Sequence, residues 1–285
     1  MSCVNVLRYI IFIDVHDQSG FIASAIPIAP SHAFRPMISY PPTVLVLLAK
    51  YPEPRNVKTR LVHGTAENGY AGLKDIRDRS GAVLGPDEAH RLAAEMYRAF
   101  LVDRFAAHRG RDYDVLLATS QPEYADAFRS ITGPDVPYHA VSGANLGEMM
   151  LGLFEDLLGR YPYVLISGSD MPRLEETVID RARESLSSHD IVLVPAQDGA
   201  YNLIGMRKPH RIFDISRWSS GSELEETVAL LRRRRITHEV LDEFRLLDID
   251  TIEDLVQLMR GPETVDAPET NTFLTALDER LDFAD

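Results

Sequence analysis

A chain of 285 residues, 45% hydrophobic and 26% charged, is long enough to bury one large core and apolar enough to fill it. Its formal net charge of -13 excludes nucleic acid or an anionic membrane as a bulk partner. The single cysteine, Cys3, excludes a disulfide framework and a Cys-rich metal centre, and points to a reducing, cytoplasmic setting.

No run approaches the ~18 apolar residues of a membrane-spanning helix. Residues 1–42 read as an N-terminal extension, poorly ordered or preceding the true start. FIASAIPIAP has the look of an export signal, but Asp14 and Asp17 interrupt the apolar stretch and Arg8 is the only cation before them.

From residue 43 short apolar runs alternate with amphipathic stretches. TVLVLLA (43–49), DVLLATS (114–120), YVLISG (163–168) and DIVLVPA (190–196) are almost continuously apolar, as strands buried on both faces of a parallel sheet are. A helix is predicted after Gly85 and Pro86, with Ala89, Leu92, Ala93, Met96, Phe100 and Leu101 on one face. A second buried face runs through Met149, Met150, Leu153, Phe154, Leu157 and Leu158, the methionines serving as core filler. Capping boxes are predicted at Ser222 with Glu225 and at Thr251 with Asp254, and Arg232 to Arg235 end the first of these helices in solvent. Residues 62–84 read as a loop insertion and 261–285 as an acidic tail, leaving one catalytic domain over 43–260. Strand, helix, strand in repetition gives an α/β fold with a mostly parallel sheet, in which ligands bind beyond the carboxyl ends of the strands.

Three such strand ends carry chemistry. KYPEPRNVKTRL gathers Lys50, Arg55, Lys58 and Arg60 in a proline-constrained loop, the means of facing a nucleotide diphosphate; the other reading is a solvated surface loop. In ISGSDMPRL, Asp170 stands at the tip of a buried strand, where a carboxylate holds a divalent cation against phosphate or shapes a turn. In PAQDGAYNLIGM, Asp198 and Gly199 signal a hairpin, and Asp198 is also placed to deprotonate an acceptor. In LLDIDTIEDL, Asp248 and Asp250 are predicted on one face of a strand, where a metal or solvent must relieve their repulsion.

Taken in order, KYPEPRNVKTRL, GANLGEMM, GSDMPRL, QDGAYNLIGM, RWSSGSELEET and DIDTIEDL resemble the bacterial arsenosugar-biosynthesis or radical-SAM/selenodomain-associated glycosyltransferase family. That family is similar to nucleotide-diphospho-sugar transferases and to molybdenum-cofactor and phospholactate nucleotidylyltransferases. The resemblance spans about 43–260. It implies a GT-A-like α/β fold with helices on both faces of the sheet, and a Mg2+- or Mn2+-dependent transfer of sugar from a nucleotide sugar to a small-molecule acceptor. By matching positions it makes Lys50, Lys58 and Arg60 phosphate contacts, with Arg55 in the same loop, and Asp170 and Asp250 metal ligands. Asp198, Gly199, Tyr201 and Trp218 (with Ser219) fall on the acceptor side, with Asp198 as the catalytic residue. Asn56 replaces the family's first-loop Gly, and Asn is expected to take the same left-handed backbone. Asn145 and Met149 replace an Asp and an Arg, and Ala200 replaces a Gly. Two other readings stay open: a nucleotidylyltransferase using an NTP and releasing pyrophosphate, and a nucleotide-binding homologue without turnover.

Overall fold

The computed structural model describes residues 42–283 apart from 67–68, 173, 216–217, 219 and 263–266. The N-terminal extension expected over 1–42 therefore lies outside the described residues, except for Pro42, whose carbonyl accepts from the Tyr163 amide at 3.4 Å.

The chain runs β1 (Thr43–Leu48), α1 (Thr59–His63), β2 (Arg77–Asp78), α2 (Pro86–Ala107), β3 (Asp114–Thr119), α3 (Ala125–Thr132), β4 (Tyr138–Ala140), α4 (Leu146–Leu157) and β5 (Tyr163–Gly168). It continues through α5 (Glu176–Leu186), β6 (Ile191–Pro195), β7 (Tyr201–Met206), α6 (Glu223–Arg234), β8 (His238–Val240), α7 (Ile252–Arg260), α8 (Pro268–Arg280) and β9 (Leu281–Asp282). A 7-stranded sheet has the order β4-β3-β1-β5-β7-β6-β8. Only β7 runs against its neighbours, so the sheet is mostly parallel.

Alternation along β1 shows why the apolar runs were continuous. Leu45 and Leu47 pack on one side with α2, α5, α7 and α8, while Val44 and Val46 pack on the other with α4 and α6. Each face is covered by helices, which is how a parallel sheet keeps both faces dry. α2 begins with Pro86 at its first turn, as predicted. Thr251 and Asp254 form the predicted capping box on α7. The box at Ser222 does not form: its hydroxyl donates to Glu226 Oε1 at 2.8 Å instead, because Ser222 enters the helix at φ -116°, ψ 2°.

Residues 261–285 are not simply an acidic tail. α8 lays Leu274, Leu277 and, beyond it, Leu281 into the core beside α2, and buried Asp103 caps its start by accepting from the Glu269 amide at 3.1 Å and the Thr270 amide at 2.7 Å. β9 then pairs antiparallel with β2, so the 62–84 insertion is pinned to the chain's far end. No helix among the described residues is long and apolar enough to cross a membrane.

Near the end of α2, His108 is 1% exposed, and its Nδ1 lies 2.7 Å from the Tyr113 hydroxyl. Burial first, then Arg104 and Arg111, push its imidazole down to about 3. The folded state thus keeps His108 neutral, while the unfolded chain charges it below about 6.5. The sign follows: stability from this group is complete above pH 6.5 and is lost as pH falls towards 3. Between pH 7 and 5 the protein is expected to lose roughly 2 kcal/mol on this account. Urea unfolding at the two pH values should show His108→Gln losing that much less.

Candidate functional site

The strand order creates the site. From β1 the chain crosses to β3 on one side and later returns to β5 on the other, so a crevice opens at the carboxyl ends of β1 and β5. Lys50 leaves one end and Asp170 the other. A directed chain of hydrogen bonds ties them: the Lys50 amide donates to Tyr97 Oη at 3.4 Å, the Tyr97 hydroxyl to Ser169 Oγ at 2.6 Å, and the Ser169 hydroxyl to the Leu48 carbonyl at 3.0 Å. Sequence reasoning missed Tyr97 and Ser169. Tyr97 sits within the apolar face of α2 and looks like core, whereas a serine one residue before Asp170 was a readable signal.

The 50–60 loop is braced by aromatic contact as well as by proline. Tyr51 stacks on Tyr124 with ring centroids 4.4 Å apart, and its amide donates to Gln121 Oε1 at 2.7 Å. Arg55 and Lys58 have φ of 71° and 52°; Asn56 does not take the left-handed backbone expected of it. Such backbone is costly for side chains of this kind and is kept where the surroundings over-determine it.

The loop's cations separate in space. Lys50 and Arg60 are exposed at the crevice. Arg55 is not brought to it: its guanidinium pairs with Asp87 at 2.5 Å, with both side chains in solvent. Lys58 is carried inward, its side chain 2% exposed, its ammonium 2.8 Å from Asp170 Oδ2 and 3.3 Å from Asp250 Oδ1. Burial pulls the Lys58 pKa down, but Asp170 and Asp250 more than offset it and leave the ammonium above its ordinary value. Arg60 reaches Asp250 Oδ2 at 3.3 Å.

Asp248 and Asp250 lie in an irregular segment, not the expected strand; the only ladder contact nearby is an isolated bridge between Ala196 and Leu246. The segment is held alongside β5 by the Ile249 amide, 3.4 Å from the Asp170 carbonyl, with Ile249 itself fully buried. Asp248 is the most perturbed carboxyl of the group. Burial first, then Asp170, push it up to about 8, with Asp250 and Asp198 adding to the shift and Lys58 opposing it. Its Oδ1 is buried without a hydrogen-bond partner.

Among the described residues no group of three or more metal-ligating side chains is already arranged around a cation position. The donor set nonetheless suits a hard divalent ion. Asp170, Asp248 and Asp250 offer only oxygen, the preference of Mg2+ and Mn2+, and the orphaned Asp248 oxygen has no other use in the fold.

Asp198 and Gly199 make the predicted hairpin turn between β6 and β7. Gly199 has φ 92°, and a Cβ there would collide with the Gly221 carbonyl, so only glycine lets the hairpin close on the segment that starts α6. Trp218 packs over α4, where a Cβ on Gly147 would lie 2.6 Å from its ring; Ser219 lies outside the described residues. Asn145 caps α4 by accepting from the Glu148 amide at 3.0 Å, and Met149 gives the crevice an apolar wall where the resembled family has an arginine.

Arg60 and Asp250 stand where three cavities meet. One of about 490 Å³ is lined by the first loop, including Lys50 and Lys58, and by Tyr97 of α2. One of about 260 Å³ holds Asp198, Tyr201 and Trp218 over an apolar floor, and one of about 590 Å³ lies between the hairpin and the start of α7. Lys50 and Lys58 thus line one cavity, Asp198, Tyr201 and Trp218 line another, and Arg60, Asp170 and Asp250 are common to both.

The family described as "Uncharacterized protein conserved in bacteria (DUF2064)" matches residues 101–220, a span that holds Asp170, Asp198, Gly199, Tyr201 and Trp218 but not the cationic loop or Asp250. A crystal structure from Desulfovibrio desulfuricans G20, provisionally described as a nucleotide-diphospho-sugar transferase, is similar at 28% identity and TM-score 0.67, covering 83% of this chain and 95% of that one. This chain shares the α/β architecture of that protein. Two more distant structures are a cytidylyltransferase from Leptospira borgpetersenii serovar Hardjo-bovis (11% identity, 83% and 94% coverage, TM-score 0.46) and a Mycobacterium tuberculosis H37Rv protein in complex with manganese (15%, 76% and 97%, TM-score 0.40). No curated protein matches.

Proposed function

We propose that this chain is a metal-dependent glycosyltransferase that moves a sugar from a nucleotide diphosphate to a small-molecule acceptor. The observation that carries the reading is Lys58, an ammonium buried between Asp170 and Asp250, with cations on one side of it and a carboxylate-lined cavity on the other. The likeness to the Desulfovibrio protein supports the donor class. The narrower arsenosugar or selenodomain association is part of the same proposal and rests on the sequence resemblance.

In this reading Lys50, Lys58 and Arg60 take the donor diphosphate in the cavity of about 490 Å³. Asp170, Asp248 and Asp250 would hold Mg2+ or Mn2+, which supplies Lewis-acid neutralisation of phosphate charge. As the bond between the anomeric carbon and the phosphate oxygen breaks, its electron pair leaves with the diphosphate, and Lys58 and Arg60 stabilise that developing charge. Asp198, exposed at the hairpin tip on the cavity wall, takes the proton from the acceptor as the new bond to the anomeric carbon forms. Tyr201 and Trp218 shape the acceptor's seat.

Nucleotidyl transfer is the second reading, favoured by Asp170 and Asp250 converging on one ammonium, Lys58, so that both carboxylates reach the same point. Against it, the acceptor cavity carries Asp198 and Glu223 and would repel an incoming phosphate. The test is product analysis of the Mn2+-loaded chain given sugar nucleotides or triphosphates with an acceptor mixture. Release of nucleoside diphosphate is the expected result. Pyrophosphate release from a triphosphate would move the assignment to nucleotidyl transfer, and intact donors throughout would leave a binding protein.

A further inference from the structure

The acceptor cavity contains a carboxylate with no counterpart in the fold. Glu223, the first residue of α6, lines the cavity and is 3% exposed. Its Oε1 accepts from the Ser220 amide at 2.8 Å, while its Oε2 is buried with no hydrogen-bond partner among the described residues. The neighbouring Tyr201 hydroxyl lies buried beside the Thr227 side chain, and burial pushes its phenol well up, so it stays neutral. Buried polar atoms left without a partner, as Glu223 Oε2 is, are rare because water has been removed and nothing replaces it; at a cavity wall they mark where a ligand makes its bonds.

The surrounding charge says which ligand. Of the carboxylates lining this cavity, Asp170 and Asp250 are paired with Lys58, and Asp250 with Arg60 as well, whereas Asp198 and Glu223 face it with no salt bridge among the described residues. An anionic group entering here would meet Asp198 and Glu223; a cationic nitrogen would meet its complement. Leu146, Met150, Ile166 and Ile204 give the lining an apolar part, beside the aromatic residues Trp218 and Tyr201. The nearest buried ammonium, Lys58, is committed to Asp170 and Asp250 and does not line this cavity.

We infer that the acceptor carries a protonated amine at one end, an apolar body, and a hydroxyl at the other end whose oxygen attacks the anomeric carbon and whose proton goes to Asp198, and that Glu223 selects it by taking the ammonium on Oε2. This rests on the transferase reading for the word acceptor, but the amine site itself is independent of turnover. Glu223 is a specificity residue here; proton removal at the reacting atom stays with Asp198.

The test uses the full chain and an isosteric set: cyclohexylmethylamine, cyclohexylmethanol and cyclohexanecarboxylate, with binding read by ligand-observed NMR. The amine is expected to bind at least tenfold tighter than the alcohol, with no binding of the carboxylate, and Glu223→Gln is expected to lose most of the amine preference. Equal binding of amine and alcohol, binding of the carboxylate, or no binding of the amine would overturn the inference, and none of these outcomes requires a variant to fold. A folded Glu223→Gln that keeps the full preference would overturn the role of Glu223. Sugar-nucleotide binding is measured separately on the same protein. If it fails while the amine binds, the transferase reading falls and the amine site stands; the converse pattern sinks only the amine.

Discussion

Replacing Lys58 with Met is expected to lower transfer at least about 100-fold, the usual consequence of removing a charged donor aimed at a developing oxyanion. The same change should cost the fold only about 1–2 kcal/mol. Removing one member of a buried ion pair is often worse, because it strands a charge away from water. Here the stranded partners, Asp170 and Asp250, are 40% and 34% exposed and can hydrate, while the Met stem fills the space that the lysine stem left. Arg55→Ala is the matched control: its partner Asp87 is in solvent, so both activity and stability should stay within about 0.5 kcal/mol of the unsubstituted protein. Diphosphate-release kinetics and urea unfolding on the two variants check this. Similar losses of transfer in both would mean that the loop acts as a diffuse patch of charge and not through one buried ammonium.

The largest stability effect is expected at the other end of the chain. Truncation after Gly261 removes α8 and β9, and with them Leu274, Leu277 and Leu281, which are 9%, 3% and 0% exposed. At about 1.5–3 kcal/mol for each buried leucine, the loss is about 5–9 kcal/mol, which approaches the whole stability of a typical domain. It would also leave Asp103 buried on α2 without the amides it accepts from. The truncated chain should therefore be largely unfolded at 25 °C by circular dichroism; a cooperative transition near that of the full chain would show that α8 is an accessory.

That helix marks where the sequence was hardest to read. Its apolar positions are few and lie among acids, and nothing local to 268–281 says that Asp103, far away on α2, will cap it. The four buried strands were legible because burial on both faces leaves an almost unbroken apolar run, and the helix starts at Pro86 and Thr251 were legible because their signals are local. The segment holding Asp248 and Asp250 alternates like a strand, but only Leu246 finds a ladder partner, so the alternation reflects a buried Ile249 between two carboxylates.

The site divided in the same way. The positions of Asp170 beyond a buried strand and of Asp198 and Gly199 in a hairpin were legible because strand ends and turns have local signatures. The difference between Arg55 and Lys58 was not, since charge alone does not reveal that Asp87 holds one in solvent while two distant carboxylates draw the other inside. Glu223 was invisible for a related reason: in a run of glutamates at a helix start, only the packed structure tells which one is buried.

The most direct measurement is a thermal-shift comparison, in the presence of Mn2+, of nucleotide diphosphate sugars with nucleoside triphosphates, each repeated on Asp170→Ala. At about 100 times Kd a specific ligand adds roughly 2.7 kcal/mol, enough to raise Tm by about 5 °C or more in a domain of this size. A shift of that order with a sugar nucleotide, dependent on Mn2+ and lost in Asp170→Ala, is the expected result. An equal shift in Asp170→Ala, or none with any sugar nucleotide, would contradict the assignment of the Lys58–Asp170 crevice as the donor site.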